Sequence, residues 1–228
     1  MTIYRCGVFD RRPGLTDEQF RHHWIHVHGA LAKKLPGLGT YRQNHILERI
    51  HEAADSPVQA IDGISQLSFP SVAHMVTSDA SEEYAACKDD IPKFQGGITI
   101  LVIEADEIMP GEGAQDAPAK LLWVSTRRDG HRSEGLRQRW LETNRGAGRD
   151  VPGARRFVQN FVTDRAHPVA AGVPSGDPEG AEAVGELWFD DAEAARAALA
   201  GEAGRRLIHD DALLAPVGIY LVQELQVV

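Results

Sequence analysis

An internal repeat is the feature that most constrains the fold of this chain. Residues 11–44 align without gaps on residues 127–160 at a constant offset of 116, and ten of the 34 positions are identical. LPGLGTYRQNH in the first half reads VPGARRFVQNF in the second, and DGISQLSF further on matches EAVGELWF. Because self-similarity at a fixed offset is the signature of a repeated structural unit, the chain is predicted to contain two copies of one module.

Each copy has the pattern strand, helix, strand, strand, helix, strand. In the first copy, the predicted strands are IYRCGVF, TYRQNHI, GISQLSF and GITILVIE, and SVAHMVTS with SEEYAACKDD forms a broken second helix. The first helix is predicted from about Asp17 to about Leu35, with Thr16 as N-cap and Gln19 as its capping-box partner. A Pro-Gly pair ends it. This element order is the ferredoxin-like plan.

A ferredoxin-like sheet carries helices on one face only, so its other face must be buried by a second unit. We therefore expect an α+β fold in which tandem ferredoxin-like (βαββαβ) modules form an intrachain pseudo-dimeric α+β barrel. The first module is expected at 1–108, a linker rich in Pro, Gly, Ala and acids at 109–118, and a degenerate second module at 119–228. ERIHEAADSPVQA and TDRAHPVAAGVPSGDPEGAE are predicted as loops, for which a pocket rim and a surface insertion are equally favoured.

Charge and cysteine content exclude several classes of protein. The formal net charge is −9, and acids accompany each arginine pair, so neither a nucleic-acid surface nor an anionic-membrane surface is expected. Two cysteines without CxxC spacing give no disulfide framework and no cysteine-based zinc site. The N-terminus does not resemble a signal peptide, and no apolar run reaches the length of a spanning helix. The expectation is a soluble, cytoplasmic protein.

The segment RRPGLTDEQFRHHWIHVHGALAKKLPGLGTYRQNH resembles the signature of the EthD family. In that signature an R-x-P-G-L turn leads into a helix ending W-x-x-x-H-G, followed by L-P-G and a Y-x-Q-N strand. The resemblance implies a relationship to the dimeric α+β barrel group, which includes cofactor-free muconolactone isomerases, aromatic-polyketide cyclases and monooxygenases, and more distant haem proteins. The second copy departs from the pattern, because Asn144-Arg145 replaces the H-G pair.

Helical geometry sorts the histidines of the first helix. Phe20, Trp24, Val27 and Leu31 form one predicted apolar stripe, and His28 lies beside it, within reach of the helix–sheet cleft. Imidazole exchanges a proton near neutral pH, so His28 is the candidate general acid or base, with a structural role equally favoured. His22 and His26 have metal-ligand spacing but face water with no further ligand nearby, so no metal is expected.

Strand two places Tyr41, Gln43 and His45 on one face by alternation, where they are predicted to bind substrate. Trp24 and Cys6 complete that predicted set, although Trp24 in the stripe and a buried cysteine are also typical of a core. The second copy has Phe157, Gln159 and Phe161 on the corresponding face. Proton-carrying groups are therefore concentrated in the first copy, where a site is expected.

The first hypothesis for function is a cofactor-free isomerase, cyclase or dehydratase/lyase, with His28 moving a proton on a small, largely apolar carbonyl compound. Tyr41, Gln43 and His45 would orient its oxygen. The alternative is a non-catalytic or accessory protein that binds a hydrophobic metabolite in a degradation pathway. A haem-binding or monooxygenase relative is a third reading. The only partner expected is the small hydrophobic molecule, with further homodimerisation left open.

Overall fold

The computed structural model describes residues 3–54, 60–111, 119–132, 134–166, 173–174 and 180–228. Its strands are β1 (Ile3–Arg11), β2 (Tyr41–Glu52), β3 (Gly63–Phe69), β4 (Gln95–Met109), β5 (Ala119–Arg127), β6 (Arg156–Ala166), β7 (Ala183–Phe189) and β8 (Leu214–Gln226). Its α-helices are α1 (Asp17–His22), α2 (Gly29–Ala32), α3 (Val72–Asp79), α4 (Glu82–Asp90), α5 (Leu136–Asn144), α6 (Ala147–Asp150), α7 (Ala192–Ala200) and α8 (Glu202–Ile208).

The eight strands form a closed antiparallel barrel in the order β1-β3-β2-β8-β5-β7-β6-β4. The four strands of the first half follow the order β4-β1-β3-β2, and those of the second half follow the matching order β8-β5-β7-β6. The pairs β2·β8 and β4·β6 join the halves, with Asn44 opposite Glu224 and Asn160 opposite Ala105. Closure leaves no free sheet edge. The predicted α+β class is confirmed.

Alternation along the strands sends side chains to two different environments. The barrel interior holds apolar residues from both halves, including Cys6, Val8, Leu122 and Val222. The outer face packs against helices in separate clusters, one of them built around Phe9, Trp24 and Phe94 of the first half. The apolar cluster inside the closed barrel therefore contains side chains from both halves of the chain.

The first helix begins as predicted but does not continue as one α-helix. Thr16 and Gln19 form the full capping box at its start. Residues His23–His28 then form a π-helical turn, in which the backbone N–H of Gly29 donates to the carbonyl of Trp24, and α2 ends at Ala32 rather than Leu35. A π turn holds more residues than an α turn, so it shifts the buried face.

This shift corrects the predicted apolar stripe. Val27 is 41% exposed, whereas His28 is 9% exposed, so the histidine and not the valine occupies the buried face. Leu31 is partly buried against the core as expected. The reason is the π turn, because the prediction assumed 3.6 residues per turn throughout.

Two predicted loops and the predicted linker turn out to be partly strand. β2 continues to Glu52 and β6 to Ala166, so each includes residues that were predicted to lie in the following loop. β4 continues to Met109 and thus includes part of the Pro- and Gly-rich connector. The remainder of these segments lies largely outside the described residues. No helix in the described part of the chain is long and apolar enough to span a membrane.

Candidate active site

A cleft lies between the first-half helices and the outer face of β1, β3 and β4. Its free volume is about 510 Å³ including the open mouth. Its walls are mainly apolar, with polar side chains that include Arg5, His28, Tyr41, Tyr84 and Gln95. An apolar concave site with a few converging polar groups is the usual form of a small-molecule site.

His28 is held in this cleft by an acid from α4. Its Nδ1 lies 3.1 Å from Oδ2 of Asp90, whose side chain is 1% exposed. Burial alone would raise the pKa of the Asp90 carboxyl, but hydrogen bonds from His28 and His23 outweigh it and lower the pKa to about 2. An ionised carboxylate only accepts hydrogen bonds, so Nδ1 of His28 must carry the hydrogen.

This hydrogen bond leaves Nε2 of His28 as the nitrogen with a free lone pair. None of the described residues forms a hydrogen bond with Nε2. The ring lies against Phe94, with the centroids 4.8 Å apart, which fixes its orientation. An imidazole whose other nitrogen is oriented by a carboxylate has the arrangement of a general base.

Tyr41 supplies a hydrogen-bond donor to the same cleft. Its hydroxyl oxygen accepts from Nε1 of Trp24 at 2.9 Å and from Nε2 of Gln43 at 3.0 Å. Because the hydroxyl oxygen is the acceptor in both hydrogen bonds, the hydroxyl hydrogen remains available for a third partner. Burial, opposed by the hydrogen bonds from Gln43 and Trp24, raises the pKa of Tyr41 above its ordinary value. The residue is therefore a neutral donor at neutral pH.

Gln43 and His45 lie on the predicted face of β2, but they do not line the cleft. Gln43 is fully buried behind Trp24 and also donates to the carbonyl of Trp24 at 3.0 Å. A Cβ at Gly29 would come within 3.2 Å of both Nε2 of Gln43 and that carbonyl, which explains the glycine of the H-G pair. The ring of His45 packs against Trp24 in a tilted arrangement, with ring centroids 4.4 Å apart. Trp24 itself is both core and cleft wall, since it is fully buried yet lines the site.

Cys6 is not brought to the cleft. Arg5 and Gly7 line it, and strand alternation therefore turns Cys6 towards the barrel interior, where it joins the apolar cluster. Burial raises the pKa of the Cys6 thiol to about 12, so it behaves as a small apolar side chain there.

Sequence reasoning missed several polar residues of the site. Asp90 could have been found, because the repeat preserves an acid pair, Asp89-Asp90 matching Asp210-Asp211. Arg5 is the charged residue within the apolar run of β1, and it pairs with Asp79 and the hydroxyl of Tyr84. Gln95 lines the cleft with an unpartnered Oε1, and no sequence signal marked it.

Metal ligation finds no support among the described residues, which contain no group of three or more His, Cys, Asp or Glu side chains able to hold an ion. His22 and His26 are exposed, with their ring centroids 4.8 Å apart. The two rings thus face solvent, as helical geometry predicts.

Comparison with known protein families identifies one domain. Residues 12–97 match the family model of the EthD domain, so the first half of the chain carries an EthD domain. The resemblance of the first-helix signature is therefore confirmed. A search of curated protein sequences gave no match.

Solved structures similar to this one share its fold over nearly the whole chain. An anthrone oxidase-like protein aligns with a TM-score of 0.66 at 13% identity, covering 99% of this chain and 93% of its own. A protein assigned as a monooxygenase from Lactobacillus acidophilus NCFM aligns with a TM-score of 0.52 at 9% identity, covering 100% and 94%. A mutant chlorite dismutase from Candidatus Nitrospira defluvii aligns with a TM-score of 0.53 at 8% identity, covering 99% and 92%. At these identities the similarity defines the fold and leaves the reaction open.

Proposed function

We propose that the chain is a fused pair of EthD-like modules, with residues 1–108 and 119–228 as the modules and 109–118 as the linker. The matching strand orders of the halves support this reading, as does the sequence repeat that aligns them. In this view the second module is a degenerate copy that completes the barrel. The pseudo-dimer then has no need of a second chain to bury its sheet.

We further propose that the first-half cleft is the active site of a cofactor-independent enzyme that transfers a proton on a small, largely apolar carbonyl compound. The observation that carries this proposal is the contact of 3.1 Å between Nδ1 of His28 and Oδ2 of Asp90. The carboxylate holds the hydrogen on Nδ1 and leaves Nε2 as the base. The substrate is a ring or polyketide-like ketone, and the reaction is of the isomerase, cyclase or lyase type.

The chemistry requires only groups that this chain supplies. Nε2 of His28 takes a proton from the carbon beside the carbonyl, and the electron pair of that C–H bond moves to the oxygen as an enolate. Tyr41 donates its hydroxyl hydrogen to this oxygen, and Asp90 stabilises the imidazolium. Where a C=C bond is conjugated with the enolate, return of the proton to the far carbon shifts the double bond and completes an isomerisation, with no net gain or loss of atoms or electrons.

The alternative is an accessory protein that holds a hydrophobic metabolite. Asp90 gives His28 an acid partner, which favours the enzyme over this alternative. The predominantly apolar wall of Leu35, Ile91 and Ile98 is compatible with either reading. The haem reading rests on fold-level resemblance alone, and a fold does not determine the reaction.

The proposal is tested by following solvent exchange of the acidic methylene protons of 2-indanone in deuterated water by NMR. The wild-type protein is expected to accelerate exchange, and His28→Asn, which introduces the residue of the second half, should lower the acceleration by about 10²–10⁴-fold. A Tyr41→Phe variant should lower it less, since it removes one donor. Equal exchange rates for wild type and His28→Asn would overturn the assignment.

A further inference from the structure

A second pocket lies on the other side of Trp24 from the cleft, between α1 and β2. Its free volume is about 600 Å³ including open solvent, and its walls include Phe20, Arg21, His45 and Arg49. The ring of His45 packs against the indole of Trp24, which lines the cleft. The proton-transfer chemistry proposed above uses none of these four side chains.

His45 lines this pocket and carries a hydrogen-bond acceptor without a partner. Its Nε2 lies 3.0 Å from Oε1 of Gln43. The amide nitrogen of Gln43 donates to Trp24 and Tyr41, so Oε1 can only accept, and Nε2 of His45 must carry the hydrogen. Nδ1 is therefore a bare acceptor, and it is buried without a partner on a residue that is 2% exposed.

Burial, and to a smaller extent the charge of Arg21, lowers the pKa of His45 to about 3. The ring is thus neutral at neutral pH. A buried acceptor with no donor costs free energy, which a ligand hydrogen would recover.

Arg21 supplies the unbalanced charge of the pocket. It donates to Oε1 of Gln223 at 3.1 Å and has no acid partner among the described residues. The other charged groups of the pocket are paired, since Arg49 contacts Asp62, and Asp17 contacts Arg11.

In the second half, acidic side chains neutralise the arginine that corresponds to Arg21. Arg137, which aligns with Arg21, pairs with both Glu104 and Asp106. In the strand register of the first half, Gln223 occupies the position of Glu104 and Leu225 that of Asp106. Where the second half has two carboxylates, the first half has an amide and an apolar side chain, and its guanidinium keeps its full attraction for an anion.

We propose that this pocket binds a small anion that also carries a hydroxyl hydrogen, with the anionic group on Arg21 and the hydroxyl donating to Nδ1 of His45. Short hydroxycarboxylates have this chemistry, and singly or doubly protonated phosphate shares it. A simple carboxylate satisfies the arginine but leaves the imidazole nitrogen unpaired.

The test is isothermal titration of the full chain at neutral pH with glycolate, acetate and inorganic phosphate. Glycolate differs from acetate by one hydroxyl group, and we expect it to bind at least about 10-fold more tightly, because it satisfies a buried acceptor. Phosphate binding more tightly than glycolate would identify the inorganic ion as the occupant. Glycolate binding more tightly than phosphate would identify the organic acid.

Variants of the two halves provide the controls. Arg21→Gln should abolish binding of both carboxylates, and His45→Phe, which introduces the residue of the second half, should reduce glycolate affinity to that of acetate. Arg137→Gln, in the neutralised counterpart, should leave both affinities unchanged, and so should His28→Asn in the cleft. Three results would overturn the proposal. The first is equal affinity of the wild type for glycolate and acetate, and the second is a preference for glycolate that persists in His45→Phe. The third is no binding of any of the anions at about 50 mM.

Discussion

The helix–sheet regions of the two halves show how few substitutions separate an open polar cleft from a packed core. Gly7 and Ser65 are register partners in the first half, and Trp123 and Gly185 are register partners in the second. A Cβ at Gly185 would lie 2.1 Å from the indole of Trp123. The indole therefore fills the volume that Gly7 leaves open in the first half. The indole stacks on Phe157, the counterpart of Tyr41.

The acids of the two halves also have different partners. Asp211 accepts from Nε1 of Trp140 at 2.8 Å and from Nδ2 of Asn144 at 2.9 Å. It also accepts from the backbone N–H groups of Leu213 and Leu214. In the first half Trp24 donates to the hydroxyl of Tyr41 instead, which leaves Asp90 free to orient His28. A structural acid and a site acid can thus occupy matching positions.

Filling the cleft should have the largest effect. In the double variant Gly7→Trp with Ser65→Gly, the first half acquires the residue pair of the second, and the indole has room because the serine hydroxyl, 2.6 Å from a Cβ at position 7, is gone. We expect complete loss of 2-indanone exchange with a cooperative thermal transition retained. Ser65→Gly alone is the control and should keep its exchange activity. A double variant that is folded and still active would show that the cleft is not the site.

Exchanging each acid for its amide should separate their roles. Asp90→Asn removes the negative charge and replaces one acceptor oxygen with an NH2 donor, so the tautomer of His28 is no longer fixed, and we expect the exchange rate to fall by about 10²-fold or more. Asp211→Asn leaves donors of the second half without their acceptor and should lower the free energy of unfolding by about 2–4 kcal/mol, with exchange unchanged. Chemical denaturation and exchange NMR on both variants check this, and the opposite pattern would contradict it.

Acid sensitivity should differ between the positions of His45 and Phe161. The pKa of His45 is about 3 in the folded chain against 6.5 for an ordinary histidine, so the unfolded state binds the proton more readily between these values. This contribution to stability is complete above about pH 6.5 and declines as the pH falls towards 3. Between pH 6.5 and 5 the loss is about 2 kcal/mol.

The variant His45→Phe should remove this dependence and flatten the stability curve over that range. The measurement is the denaturation midpoint at several pH values, with Phe161→Leu as a control that keeps the slope of the wild type. An unchanged slope in His45→Phe would show that another group is responsible. The Asp90 pKa of about 2 produces a separate loss, confined to pH values below about 4.

Much of the fold follows from the sequence, because a repeat and a half-covered sheet leave few arrangements. The strand–helix order, the capping box at Thr16 and the position of His28 beside the cleft could all be predicted from local pattern. The π turn could not, since nothing in HWIHVH distinguishes it from an α-helix, and it displaced Val27 from the buried face.

The composition of the site was harder to predict, because its members meet only through tertiary contacts. Asp90 lies 62 residues from His28 along the chain, and their contact depends on how α4 packs against the first helix. His45 and Gln43 share a strand face with Tyr41, as predicted, but the bulk of Trp24 separates them from the cleft. On β1, Arg5 and Gly7 line the cleft and Cys6 between them faces the barrel interior, so the prediction that Cys6 binds substrate there was wrong.

The tautomer of His28 is the most direct test of the account, because the base role of Nε2 depends on it. Side-chain ¹⁵N NMR, with His28→Asn used to assign the signal, measures which ring nitrogen carries the hydrogen when the imidazole is neutral. We predict a hydrogen on Nδ1 and a bare Nε2, with this preference lost in Asp90→Asn. A hydrogen on Nε2 in the wild-type protein would contradict the proposed mechanism.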